Sequence, residues 1–352
     1  MTLNTRSICL KVSTVATFLL FFQSSRAQLS QMDTSALSGL MEQKARLLKN
    51  NNIVLAVASK DTIVYKNDTK FFNIARGQGE AGYITEWFTT ALALMMVEDG
   101  KFSLDDKIAD YLPEYAKYGK NYITIRHCLT HNSGIQVPSK VELFDRDRGD
   151  SYEKVANSYA AKEIQSNPGT EFRYSDRGYT IVAAIIEKVT KRKFEQLMSQ
   201  RIFRPLGMRG SNFMSIDGSV VSPAFGAKTT AADITSFGRW LLNGGQWRGQ
   251  QLLKSESVDL FRTLVTPAAD FKGVPKEVVS YDWAPGGWAL EVNGSKASAL
   301  AMPSFGGTVA VIDFCRGYVF AYLLKELDKG KNADAMMNIK ATIDGGAEIK
   351  CQ

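Results

Sequence analysis

Apolar residues change their spacing three times along this chain. Leu37, Leu40, Met41, Ala45 and Leu48 recur at intervals of three and four, which predicts an amphipathic helix. Two β-branched, apolar runs at 53–58 and 62–65, separated by Lys60-Asp61, predict a hairpin. From about 84 to 250 the pattern is mostly helical, with breaks at Gly134, Pro168-Gly169, Pro205 and Gly244-Gly245. Strand-like spacing returns at Trp288 to Val292, Thr308 to Asp313 and Tyr318 to Leu324, the last two joined through Cys315-Arg316-Gly317. Strands at both ends with helices between predict an α+β chain that leaves a sheet, builds a helical lobe and comes back. No repeat, linker or low-complexity tract interrupts it.

The first residues follow a different logic. Arg6 and Lys11 precede an apolar run from Val12 to Phe22, and Ser25-Arg26-Ala27 offers a small-x-small cleavage site. This pattern predicts a secretory signal peptide over 1–27 and a secreted or periplasmic product. The apolar run is too short for a bilayer span of roughly 20 residues, and no later stretch does better. The mature chain is therefore expected to carry no transmembrane segment.

Charge narrows the partners. The formal +7 drops by three when Arg6, Lys11 and Arg26 leave, and the remaining basic residues are evenly spread. That excess is too mild to predict nucleic-acid binding. Cys128, Cys315 and Cys351 remain as an odd number without close spacing, which implies neither a pairing nor a metal pattern. His127 and His131 are the only histidines. Four apart on a helix they could face one metal. Asn67-Asp68-Thr69 and Asn293-Gly294-Ser295 fit the glycosylation acceptor pattern, which matters only in a host that glycosylates.

Several longer motifs occur in one order. Ala81-Gly82-Tyr83-Ile84-Thr85-Glu86-Trp87-Phe88-Thr89 leads to Val97-Glu98-Asp99-Gly100-Lys101, and Phe102 to Asp106 continues to Tyr111-Leu112-Pro113. Then come Ile123-Thr124-Ile125-Arg126-His127-Cys128-Leu129-Thr130-His131-Asn132-Ser133-Gly134, Pro168-Gly169-Thr170, Tyr174-Ser175-Asp176 and Arg201-Ile202-Phe203-Arg204-Pro205-Leu206-Gly207-Met208. Thr229 to Asp233 and Leu241-Leu242-Asn243-Gly244-Gly245 complete the series. Together they resemble the β-lactamase-related serine hydrolases: class C β-lactamases, D-alanyl-D-alanine carboxypeptidases and esterases. The resemblance covers roughly residues 35 to 328. It implies an antiparallel sheet flanked by helices, with an α/β lobe at about 28–80 and 250–352. A mostly helical lobe at about 81–249 would be inserted, and the pocket would lie between the two. The resemblance also implies a structural role for the segment that holds His127 and His131, and no metal or cofactor is expected.

The resemblance also implies a site whose chemistry has been exchanged. That family opens its catalytic helix with Ser-x-x-Lys, the serine acylated and the lysine its base. Tyr83 and Glu86 hold those places here. A phenol has an ordinary pKa near ~10 and attacks poorly unless a base or cation lowers it, and a neighbouring carboxylate raises it instead. Tyr83 would otherwise fill the space of the lost pair, while Glu86 favours the first helical turn. Tyr174 keeps the family's tyrosine, whereas Asp176 replaces its asparagine and is expected close to Glu86. Such paired carboxylates would share one proton or hold a cation; alternatively Asp176 caps the helix beginning near Gly178, with Arg177 as counter-charge. The pocket strand should carry a basic residue just before Gly306-Gly307-Thr308, and the chain offers Met302-Pro303-Ser304-Phe305. Ser304, Phe305 and Gly306 are the expected ligand-binding residues, with the Phe305 N–H as a second oxyanion donor.

One decoy needs naming. Ser151-Tyr152-Glu153-Lys154 is the only Ser-x-x-Lys in the chain, but it follows a run of charges and reads as a solvated helix start. Three functions follow. The first is a non-acylating protein that holds a small molecule or a peptide or glycan fragment between the lobes. The second is an acid/base enzyme built from Tyr83, Glu86, Tyr174 and Asp176. The third is a hydrolase acylated on Tyr83, for which Arg76 and Lys228 are the nearest cations in sequence.

Overall fold

The computed structural model describes residues 32, 34–47, 53–68, 77–138, 150–215, 217–266, 271–272, 280–303, 308–324 and 332–345. The alternating runs become strands. In chain order these are β1 (Ile53–Ser59), β2 (Ile63–Asp68), β3 (Gly79–Glu80), β4 (Phe172–Arg173), β5 (Lys228–Thr229), β6 (Gln246–Trp247) and β7 (Gln250–Gln251). They continue as β8 (Phe271–Lys272), β9 (Asp282–Ala284), β10 (Gly287–Asn293), β11 (Lys296–Pro303), β12 (Val309–Asp313) and β13 (Tyr318–Leu324). Seven form one sheet in the order β2-β1-β13-β12-β11-β10-β9, and every pairing in it is antiparallel.

Period-two alternation sends the strand residues to two cores. On one face Leu55, Val57, Val311 and Phe320 pack with Leu37 and Met41 of the N-terminal helix (Thr34–Leu47) and Met336 and Ile339 of the C-terminal helix (Asn332–Ile343). On the other, Val54, Ala56, Ala310, Ile312, Val319 and Ala321 join the large core that contains the intervening helices. A sheet covered on both faces buries its strands throughout, as β1 and β12 are.

Two elements were not anticipated from periodicity. β11, Lys296-Ala-Ser-Ala-Leu-Ala-Met-Pro303, is alanine-rich and buried on both faces, so it neither alternates nor shows strong β-propensity. Its neighbours β10 and β12 supply the ladder that holds it. The C-terminal helix likewise gave no distinct helical signal.

The central helix (Ile84–Glu98) is buried continuously from Ile84 to Met96, so it has no polar stripe. Phe88 meets Phe237 edge-on at 5.0 Å and Phe203 at 5.4 Å. Side chains of this size each contribute roughly 2–3 kcal/mol when fully buried. That packing fixes the helix, and with it the two residues at its start. Cys128 is a free, buried thiol, whereas Cys315 is disulfide-bonded. Among the described residues no helix is long and apolar enough to cross a membrane.

Candidate functional site

The site begins where the chain enters the central helix. Gly82 takes the left-handed conformation, with φ at 56°, and Tyr83 follows at the N-cap without a capping hydrogen bond from its side chain. Glu86 lies in the first turn, as expected, but it is fully buried. Its oxygens are used by side chains from elsewhere in the chain. The Tyr174 hydroxyl donates to Oε1 at 2.9 Å, and His131 Nε2 lies 3.3 Å from Oε2.

The chain delivers those two partners together. The short helix Ile125–Leu129 ends before His131, which adopts φ 56°. A left-handed non-glycine residue stores roughly 1–3 kcal/mol of strain that its surroundings must offset. Here the Asn132 N–H donates to the His127 carbonyl at 2.9 Å, and the Arg173 N–H donates to the His131 carbonyl at 2.9 Å. These bonds lay residue 131 against the segment that carries Tyr174. The two rings sit 4.3 Å apart, and Trp283, Phe172 and Tyr179 close around the imidazole at 5.1, 5.3 and 5.4 Å.

This aromatic enclosure governs the charges. Burial pushes the Glu86 carboxyl above its ordinary range; His131 and Tyr174 oppose that without cancelling it, and Asp176 adds a smaller push upward. Burial, then the Glu86 charge, hold the Tyr174 phenol well above its usual value, so it stays neutral. His131 Nδ1 lies 3.0 Å from the Ser175 carbonyl and 3.2 Å from its N–H, so the backbone alone accommodates either tautomer. Across the Oε2–Nε2 contact one of the two groups donates and the other accepts, next to a neutral phenol.

The structure thus assembles Tyr83, Glu86 and Tyr174. Tyr83 packs edge-on to Tyr174 at 4.9 Å and to Phe225 at 6.3 Å, so its ring does fill space at the helix start. Asp176 adds its charge to the upward push on Glu86, by less than His131 or Tyr174 act on it, and the expectation of a cap is corrected: at the N-cap of the Arg177–Thr190 helix its side chain makes no capping bond. Arg177 is 3% exposed; it packs over the Tyr159 ring at 5.1 Å and donates to the Gln136 carbonyl. Ser304, Phe305 and Gly306 lie outside the described residues, as do Arg76 and the 1–27 segment. Lys228 sits on β5, opposite Glu80.

The two histidines do not share a metal. His127 Nδ1 accepts from the Thr124 N–H inside a capping box, while His131 lies beyond the end of that helix. Among the described residues no group of three or more His, Cys, Asp or Glu side chains is placed to hold an ion. Ser151 is a helix cap whose Oγ accepts from the Lys154 N–H, the solvated start expected of it. His131 is the residue that sequence reasoning passed over. Its signal was the lone histidine just before Asn132-Ser133-Gly134, where helical spacing stops; its inward turn depends on a backbone angle that spacing does not encode.

A family model described as "Beta-lactamase" matches residues 85–341, most of the chain. The chain belongs to the β-lactamase family. The matched region starts just after Tyr83. A relative in Escherichia coli K12, described as "Putative D-alanyl-D-alanine carboxypeptidase", is 26% identical over 301 residues, which cover 65% of this chain and 64% of that protein. The chain therefore spans a little under two thirds of that relative's length. Among solved β-lactamase-like folds, a "putative beta-lactamase" from Bacteroides dorei superposes with a TM-score of 0.77 at 18% identity, covering 89% of this chain and all of that one. "EstCE1, a hydrolase with promiscuous acyltransferase activity" superposes at 0.72 with 17% identity, covering 89% and 99%. At these identities the likeness is one of fold.

Proposed function

We propose that this chain is a non-acylating member of the β-lactamase family, a pseudoenzyme that binds a small molecule or a peptide or glycan fragment where Tyr83 and Tyr174 meet the surface. The observation that carries this reading is the state of Glu86. It stands where the family places the lysine base, yet it is fully buried and joined to Tyr174 and His131. Acyl transfer needs a base that removes the nucleophile's proton, or a cation that lowers its pKa. A carboxyl sealed from solvent and already engaged by Tyr174 and His131 is poorly placed to act as the first, and a carboxyl cannot act as the second. Tyr174, kept neutral by burial and by Glu86, is no better a base. The same reading takes 1–27 as a signal peptide and the product as secreted or periplasmic.

A second reading has one observation in its favour. The proton held among Glu86, His131 and Tyr174 is what an acid/base enzyme would use for a lyase, isomerase, cyclase or glycosidase-like step, with Tyr174 as the group nearest a ligand. It predicts a bell-shaped pH–rate profile. Simple binding gives none.

The deciding measurement is the intact mass of the folded protein after exposure to a β-lactam and to a fluorophosphonate, with peptide mapping of any shifted species. We expect no adduct. An adduct on Tyr83 would make the chain an acyl-transfer enzyme, and one on Ser151 would move the site elsewhere. As a positive control, the double change Tyr83→Ser with Glu86→Lys should restore labelling if the helix start retains the geometry of its relatives.

A further inference from the structure

We propose that the cleft between the β1–β2 turn and the β6–β7 hairpin is a second binding site, for a small free ligand bearing two oxyanion groups of the phosphate, sulfate or carboxylate kind. The cleft has a volume of about 290 Å³, and its walls include Lys60, Asp61, Arg239, Asn243, Trp247 and Arg248. It shares none of its lining with the Glu86 site.

Two arginines, Arg239 and Arg248, face each other across this cleft, with Lys60 and Asp61 in its walls. Arg239, on the last turns of the Ala231–Leu242 helix, is partly buried. Its Nε and Nη2 donate to the backbone carbonyls of Lys60 and Asp61, which tie the β1–β2 turn to the helix, and its guanidinium lies over the Trp247 ring at 5.2 Å. Asn243 Nδ2 donates to the Lys60 carbonyl as well, at 3.0 Å. Among the described residues neither Arg239, Arg248 nor Lys60 forms a carboxylate ion pair within 4.0 Å. Other arginines in the chain, such as Arg126 and Arg201, do pair with acids. Burial disfavours the Arg239 charge most, Asp61 partly offsets that, and Arg248 adds a smaller repulsion, so the guanidinium is left under-compensated. A bound anion relieves both that repulsion and the missing pairs.

The backbone supplies an independent reason. Trp247 pairs with Gln250, so Arg248 and Gly249 are the two central residues of a two-residue hairpin, with φ of 49° and 81°. Turns of this kind favour Asn, Asp or Gly at the first central position, because a longer side chain is strained at positive φ. Arginine there is a local cost without a packing return, since Arg248 is exposed. Strain retained at an exposed side chain points to use of that side chain. Its position at the mouth of a cationic cleft says what the use is. Arg239 forms a rigid base held by the turn and Arg248 is a long arm from the hairpin, and the two guanidinium groups bracket a ligand with two acidic ends better than a single monoanion.

Titration calorimetry tests this directly, with pyrophosphate and citrate as probes, sulfate as the monatomic-centre comparison, and ionic strength held constant with chloride. One saturable site for pyrophosphate or citrate is expected, weakening steeply as salt rises. Arg248→Asn should lower the affinity about tenfold, the value of one charge-assisted contact, while leaving the melting temperature unchanged or higher, because asparagine suits the turn. Arg239→Gln should abolish binding; if that variant unfolds because the turn is released, Arg248→Asn still decides. No saturable heat with either probe overturns the proposal, as does binding that Arg248→Asn leaves intact. Co-flotation with phosphatidylglycerol vesicles in the absence of any binding to the free probes would also overturn it, in favour of a membrane surface.

Discussion

Glu86 and Glu291 are both carboxylates drawn out of water, and they respond in opposite directions. Glu86 is enclosed by rings and meets a histidine and a phenol, and its carboxyl is pushed up. Burial pushes Glu291 the same way, but hydrogen bonds from Lys340 and Arg316 overcome it and hold the carboxyl low. The second environment is a cluster of two cations and three acids. Arg316 Nη1 lies 2.6 Å from Glu291 and 2.7 Å from Asp313, while Lys340 Nζ lies 2.7, 3.2 and 2.8 Å from Glu291, Asp313 and Asp344. Desolvation pushes both carboxyls up, and at Glu291 two cations at hydrogen-bond distance reverse it. At Glu86 the contacts with His131 and Tyr174 oppose burial without overcoming it.

The largest effect separating the two regions should come from Lys340→Met. It leaves Asp313, which is fully buried, with less compensation, and we expect a loss of about 3 kcal/mol in urea unfolding at neutral pH. A loss well under 1 kcal/mol would mean that the cluster behaves like an exposed ion pair.

Glu86→Ala should cost less, about 2 kcal/mol, because it strands the Tyr174 hydroxyl and His131 and opens a small cavity. Glu86→Gln keeps the volume and both hydrogen-bonding functions and should cost under about half of that. If the two variants are equally destabilised, the charge at 86 matters.

The smallest effect is the most specific. A raised carboxyl in the folded state gives stability that is complete below the ordinary value of 4.5 and disappears as pH rises through the folded value. A depressed carboxyl gives stability that is complete above 4.5 and disappears as pH falls through the folded value. Relative to wild type, Glu86→Gln should therefore gain stability as pH rises above the ordinary carboxyl range. Glu291→Gln should lose its disadvantage as pH falls below it. Denaturant titrations of both variants across pH would read the two slopes, and slopes of the same sign would collapse the distinction drawn here.

How much of this was legible beforehand follows the range of each signal. The N-terminal helix announces itself by an apolar face at helical spacing, and the β1–β2 hairpin, β10, β12 and β13 by short apolar, β-branched runs. β11 does not, since alanine on both faces carries no period. Tyr83, Glu86 and Tyr174 were found through motifs, which preserve order along the chain. Their actual partner His131 was not, because its approach depends on a left-handed residue and a backbone bond to Arg173 across more than forty positions. Asp176 was placed near Glu86 through the resemblance, and its charge does push the Glu86 carboxyl upward, but its alternative role as a helix cap is not taken up. The ion cluster around Arg316 and Lys340 was equally hidden, its members lying on β10, the β12–β13 turn and the last helix.

β1 pairs with β13 from Ile53 opposite Leu324 to Ser59 opposite Tyr318. On a ribosome, or while emerging from a translocation pore, β1 is made early and its central neighbour almost last. Until then one edge of the first hairpin is an open template for any other extended chain. The search for so distant a partner is also slow, because loop closure precedes its reward. Expression yield should therefore respond more to chaperone supply and to elongation rate than to any substitution near Glu86.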